Sequence, residues 1–96
     1  MLDTFLEKII KDKINNYKLS DKITHYLVYK KKRGTYQALK ESQELEKKIE
    51  EMVVNYIKEW FVNELIDGPL KVVLDKEIES QVILELSSMG YNKVVN

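Results

Sequence analysis

Apolar positions at the start of the chain recur at helical intervals. Leu2, Phe5, Leu6, Ile9, Ile10 and Ile14 fall three or four residues apart or adjacent, which makes one stripe of an α-helix. Thr4 and Glu7 have the T-x-x-E spacing of a capping box, and Asn15-Asn16 predicts the end of the element. The next stretch, "LSDKITHYLVYKKKRG", carries two readings. As a helix it has Ser20 as its cap, Asp21 at the positive end, Lys30–Lys32 at the negative end and Gly34 as a left-handed stop. As a hairpin over 23–39 it has Ile23, His25, Leu27 and Tyr29 alternating, with "KKKRG" as the loop. The charges at both ends favour the helix.

The longest stripe follows. Leu45, Ile49, Met52, Val53, Tyr56, Ile57, Trp60, Phe61 and Leu65 hold helical spacing over residues 42–66, with Ser42 or Thr35 as the start and Asp67-Gly68-Pro69 as the stop. A strict heptad fails at Glu59, so no coiled coil is expected. Such a helix is about 38 Å long. A compact domain of this size is about 32 Å across, so the helix either spans the molecule or projects from it. After the turn, Leu70, Val72 and Leu74 alternate like a strand. Asp75 then reads as the cap of a helix with the stripe Ile78, Val82, Leu86 and Met89, which Gly90 closes, and "YNKVV" reads as a second strand. The expected fold is α+β within a single domain over 1–96: mainly helical, a long central helix, and a C-terminal strand-helix-strand unit.

Composition narrows the function classes. A chain of 96 residues without Cys has neither disulfides nor thiolate metal sites. The N-terminus lacks the basic region and cleavage site of a signal peptide, and no apolar run is long enough to cross a bilayer, so a cytoplasmic protein without membrane contact is expected. The net charge of zero conceals a split. Residues 1–40 hold ten Lys or Arg against four acids, and residues 41–96 hold six against twelve. That division suggests an electrostatic role or two halves that attract each other.

The last fifty residues resemble a recurring pattern in small phage and prophage accessory proteins: a long charged helix ending at Gly68, "LKVVL" at 70–74, Glu77 and Leu86 in a helix, and "MGYNKVV" at 89–95. The resemblance covers residues 45–96. It implies an accessory protein of a virus or mobile element, acting in the host cytoplasm, and it transfers no catalytic residues.

The residues themselves offer few routes to catalysis. His25 is the single histidine and has no Ser or acid at a motif spacing. The glycines, at 34, 68 and 90, each mark a turn and form no phosphate-binding loop. The expectation is a non-enzymatic binding module without cofactor or metal. Its candidate binding residues are Lys30, Lys31, Lys32 and Arg33 with Tyr29 and Tyr36 beside them. A charge-steered protein partner is the first reading, with the acidic stretch 41–51 as a second candidate surface. Nucleic acid gripped by the same basic turn is the alternative. A third class is a structural subunit assembling through the long helix. Val53, Ile57, Trp60 and Phe61 are the candidate seam of a homodimer.

Overall fold

The structure, a computed structural model, describes residues 2–64, 70–91 and 94. It contains four helices: α1 (Leu2–Tyr17), α2 (Leu19–Tyr29), α3 (Thr35–Glu64) and α4 (Leu70–Ser88). The first two run in one line against α3. Glu7 meets Lys58, Ser20 meets Glu46 and Thr24 meets Ser42, so the partner number falls as the first rises, as in an antiparallel pair. Tyr56 with Glu77 and Glu41 with Tyr91 fix α4 antiparallel to α3, and Lys13 with Asp75 places α4 beside α1. The result is a three-membered helical bundle whose first member is broken in two.

The break has a cause in the apolar spacing. Leu6, Ile10 and Ile14 are buried at intervals of four, as are Leu19, Ile23 and Leu27, but five residues separate Ile14 from Leu19. An unbroken helix would turn the second trio about 100° out of line with the first. Lys18 absorbs the extra residue in a left-handed conformation, φ 53° and ψ 50°, and both trios face the same core. Ile49, Val53 and Ile57 of α3 and Ile78, Val82 and Leu86 of α4 complete that core. At about 1.5 Å per residue, the thirty residues of α3 span about 45 Å. The molecule measures 48 × 25 × 18 Å, so α3 runs its whole length.

Several expectations need correction. Among the described residues there is no strand, and the fold is all-helical, not α+β. The hairpin alternative over 23–39 does not form. Leu70–Leu74, expected as a strand, is the first turn of α4, and Asp75 lies inside that helix and not at its cap. Leu74 stands four residues before Ile78 and is buried with it, so the helical stripe already begins at Leu74. Each fully buried Ile or Leu contributes about 1.5–3 kcal/mol, whereas β-propensity differences span only about 1 kcal/mol, so burial overrides the local preference of Val72-Val73. In the expected second strand, Asn92, Lys93 and Val95 lie outside the described residues. Val94 N–H donates to the Tyr91 carbonyl at 3.0 Å.

Some boundaries also move. The long helix begins at Thr35, and α1 runs through Asn15-Asn16 to Tyr17. Thr4 lies within α1, and Glu7 bonds Lys11 and Lys58 (2.9 and 3.2 Å). Gly90 does close α4. It takes φ 88° while Tyr91 N–H donates to the Leu86 carbonyl (2.7 Å) and Gly90 N–H to that of Ser87 (3.1 Å), the paired bonds of a Schellman motif.

A candidate interaction surface at the α2–α3 turn

The basic run lies at the end of α2 and in the turn that follows. Lys30 N–H donates to the Tyr26 carbonyl (2.9 Å) and Arg33 N–H to that of Leu27 (3.0 Å), which satisfies two of the last four carbonyls of the helix. Lys32, not Gly34, is the left-handed residue of this stop, at φ 57°. The Gly34 carbonyl instead accepts the Ala38 N–H (2.9 Å), so Gly34 stands at the N-cap of α3. The turn leaves Lys30–Arg33 exposed to solvent.

The four basic side chains divide into two kinds. Arg33 is braced: its Nε lies 3.4 Å from a Glu41 carboxylate oxygen, and the other Glu41 oxygen accepts from the Tyr91 hydroxyl at 3.4 Å. The Tyr91 ring meets Tyr26 edge-on, centroids 5.9 Å apart, and Lys31 Nζ lies 5.9 Å over Tyr26. Burial, and then the Glu41 charge, push the Tyr91 hydroxyl above its ordinary pKa, so it stays a neutral donor at physiological pH. Lys30, Lys31 and Lys32 make no ion pair among the described residues. Beside them stand Tyr29, 62% exposed and tilted at 40° against the His25 ring with centroids 4.4 Å apart, and Tyr36, 83% exposed. Tyr29, Lys30, Lys31, Lys32 and Tyr36 thus form one open end of the molecule, with Arg33 partly tied down.

The acidic stretch 41–51 is mostly taken up inside the fold. Glu41 braces Arg33 and Tyr91, and Glu46 accepts the Ser20 N–H at 2.6 Å, capping α2 in place of the expected Ser20 side chain. Glu50 lies in a groove of about 330 Å³ between α1 and α3, facing Lys11. Glu44 and Glu51 remain exposed, interleaved with Lys47 and Lys48, which leaves no strongly acidic face. In that groove Glu7 pairs with Lys11 and Lys58. It holds no nucleophile beside a base, and among the described residues no three His, Asp or Glu side chains converge to hold a metal ion.

The candidate dimer seam is largely covered by the chain's own helices. Val53 and Ile57 are fully buried, and Trp60 and Phe61 are partly buried against the same cluster. Beside it on α3, Met52 and Tyr56 reach the surface at 36% and 38% exposure, and away from it Phe5, Ile83 and Leu84 do so at 65%, 40% and 59%. Sequence reasoning missed Tyr26, Glu41 and Tyr91 as the brace of the turn, because Tyr91 reaches Glu41 and Tyr26 from 50 or more residues away. It also missed the outer face of α2, whose three- and four-residue spacing of Lys22, His25 and Tyr29 was legible.

No helix of the described residues is long and apolar enough to cross a membrane. No protein-family model, curated protein or solved structure matches the chain.

Proposed function

We propose that this protein is a non-enzymatic interaction module that docks an acidic protein surface onto its α2–α3 turn. The supporting observation is that Lys30, Lys31 and Lys32 make no ion pair among the described residues and stand on an exposed turn flanked by the open rings of Tyr29 and Tyr36. Tyrosine is a favoured anchor at protein interfaces, and surrounding lysines steer an acidic partner and raise the association rate. The resemblance of the C-terminal half to phage and prophage accessory proteins suggests the setting: a virus or mobile element, with the host cytoplasm as the place of action and a host or viral macromolecule as the partner.

Nucleic acid is the second reading, favoured by the same juxtaposition of lysines and exposed aromatic rings. The braced carboxylate of Glu41 beside Arg33 counts against it, since it sets a negative charge within the footprint of a phosphate backbone. Affinity capture from host lysate with the wild-type protein and with Lys30→Glu/Lys31→Glu/Lys32→Glu tests the proposal. The expected result is a protein retained by the wild type and lost by the variant, with no oligonucleotide bound by either. Equal capture by both forms rejects the turn as the docking site.

A further inference from the structure

The basic turn continues a longer charged ridge. Leu19, Ile23 and Leu27 bury one side of α2, and Lys22, His25 and Tyr29 stand exposed on the other at intervals of three and four, with exposed Lys18 at the helix entrance. Residues 18–33 hold six Lys or Arg and a single acid, Asp21, while the remainder of the chain holds ten and fifteen. The positive excess of the N-terminal half therefore sits on α2 and its turn, because α1 balances its own charges: Lys8, Lys11 and Lys13 against Asp3, Glu7 and Asp12. α2 packs on α3 through Thr24 and Ser42, and among the described residues no salt bridge involves Lys18 or Lys22.

We infer that the outer face of α2, from Lys18 and Lys22 through His25 to Tyr29, is the docking track for an acidic peptide segment of a partner protein, laid lengthwise and ending on Lys30–Lys32. This rests on the proposed function and extends its footprint. The eleven residues of α2 give a track about 16 Å long, matched by about five residues of extended chain. Alternate residues of an extended chain recur about every 7 Å, near the 5–6 Å between helical side chains three or four apart, so two carboxylates meet Lys18 and Lys22 on either side of exposed Asp21, the chain crosses His25 and Tyr29, and a further carboxylate meets the turn about 12 Å beyond Lys22. The charge distribution selects a short acidic segment over a nucleic-acid duplex. A duplex carries its charge past both ends of the track, against a remainder in which acids exceed bases, within a Debye length of about 10 Å. A peptide segment ends where the track ends.

The test uses the full chain, isotope-labelled, with amide shifts read in low salt. The probes are an oligoglutamate of about ten residues, a single-stranded oligothymidylate and a short DNA duplex. Oligoglutamate is expected to shift the amides of residues 18–29 as well as 30–36. Lys18→Glu/Lys22→Glu is expected to weaken it by roughly tenfold or more with the helical circular dichroism unchanged. Shifts confined to 30–36, or a variant that binds as well as the wild type, overturn the track and leave the turn standing as a docking site. No shift anywhere overturns both. Tighter binding of either nucleic acid than of oligoglutamate rejects the acidic peptide as occupant.

Discussion

Three residues in the left-handed region put the same conformational cost under different side chains. Gly90 at φ 88° meets it with no Cβ, whereas Lys18 and Lys32, at φ 53° and 57°, bear about 1–2 kcal/mol of strain each. The unfolded chain offsets part of that, because glycine loses more entropy on folding. Lys18→Gly and Lys32→Gly are therefore expected to raise stability by about 0.5–1 kcal/mol each, and Gly90→Ala to lower it by about 1 kcal/mol. Nothing lies within 4 Å of a Cβ built at Gly90, so that loss is conformational and not a clash. Urea unfolding measures all three, and a destabilised Lys18→Gly would contradict the account of the break between α1 and α2. The site of that break was present in the sequence as the five-residue step from Ile14 to Leu19.

Between elements, the α1–α3 groove sets two carboxylates in opposite situations. Hydrogen bonds from Lys11 and then Lys58, with their charges, hold Glu7 below its ordinary pKa of 4.5. Its contribution is present above the ordinary value and is lost as pH falls through the lowered one. Partial burial raises Glu50 instead, so folding favours its protonated form, and ionisation costs stability as pH rises through the raised value. Glu7→Gln is expected to destabilise the protein at neutral pH and Glu50→Gln to stabilise it, the Glu50 difference fading as pH falls to the ordinary carboxylate value and the Glu7 difference only as pH falls further, through its lowered one. Thermal unfolding across that range checks both signs, and a Glu50→Gln variant less stable at neutral pH would refute the burial argument.

The same element scale shows what a sequence can reveal. α1 and α3 were legible because each repeats an apolar stripe over three or more turns, α2 was favoured over a hairpin only by the charges at its ends, and Gly90 was legible as a stop. The entry to α4 was not, because Leu70, Val72 and Leu74 fit two periods over so short a run. The expected stop of the long helix, Asp67-Gly68-Pro69, lies outside the described residues. Of the surface, the run Lys30–Arg33 was visible as a string of letters. The contacts that shape it, Glu41 to Arg33 and Tyr91 to Tyr26, join residues that only the bundle brings together.

At the scale of the whole molecule, the open question is whether the lysines of the turn serve the fold or act outside it. Cations at a helix C-terminus gain about 0.3–1 kcal/mol each from the helix dipole, and neighbouring like charges repel by a similar amount. Three adjacent lysines therefore come close to cancelling, and none makes an ion pair among the described residues. Arg33 differs, because it is held by Glu41, which also anchors Tyr91. Lys30→Gln/Lys31→Gln/Lys32→Gln is thus expected to unfold within about 0.5 kcal/mol of the wild type, slightly more stable at low salt, while its association with an acidic partner slows and loses its salt dependence. Calorimetry at two ionic strengths, paired with stopped-flow association, separates the two roles. A melting point lowered by several degrees would make the run a structural terminus, and an unchanged association rate would remove it from the interface.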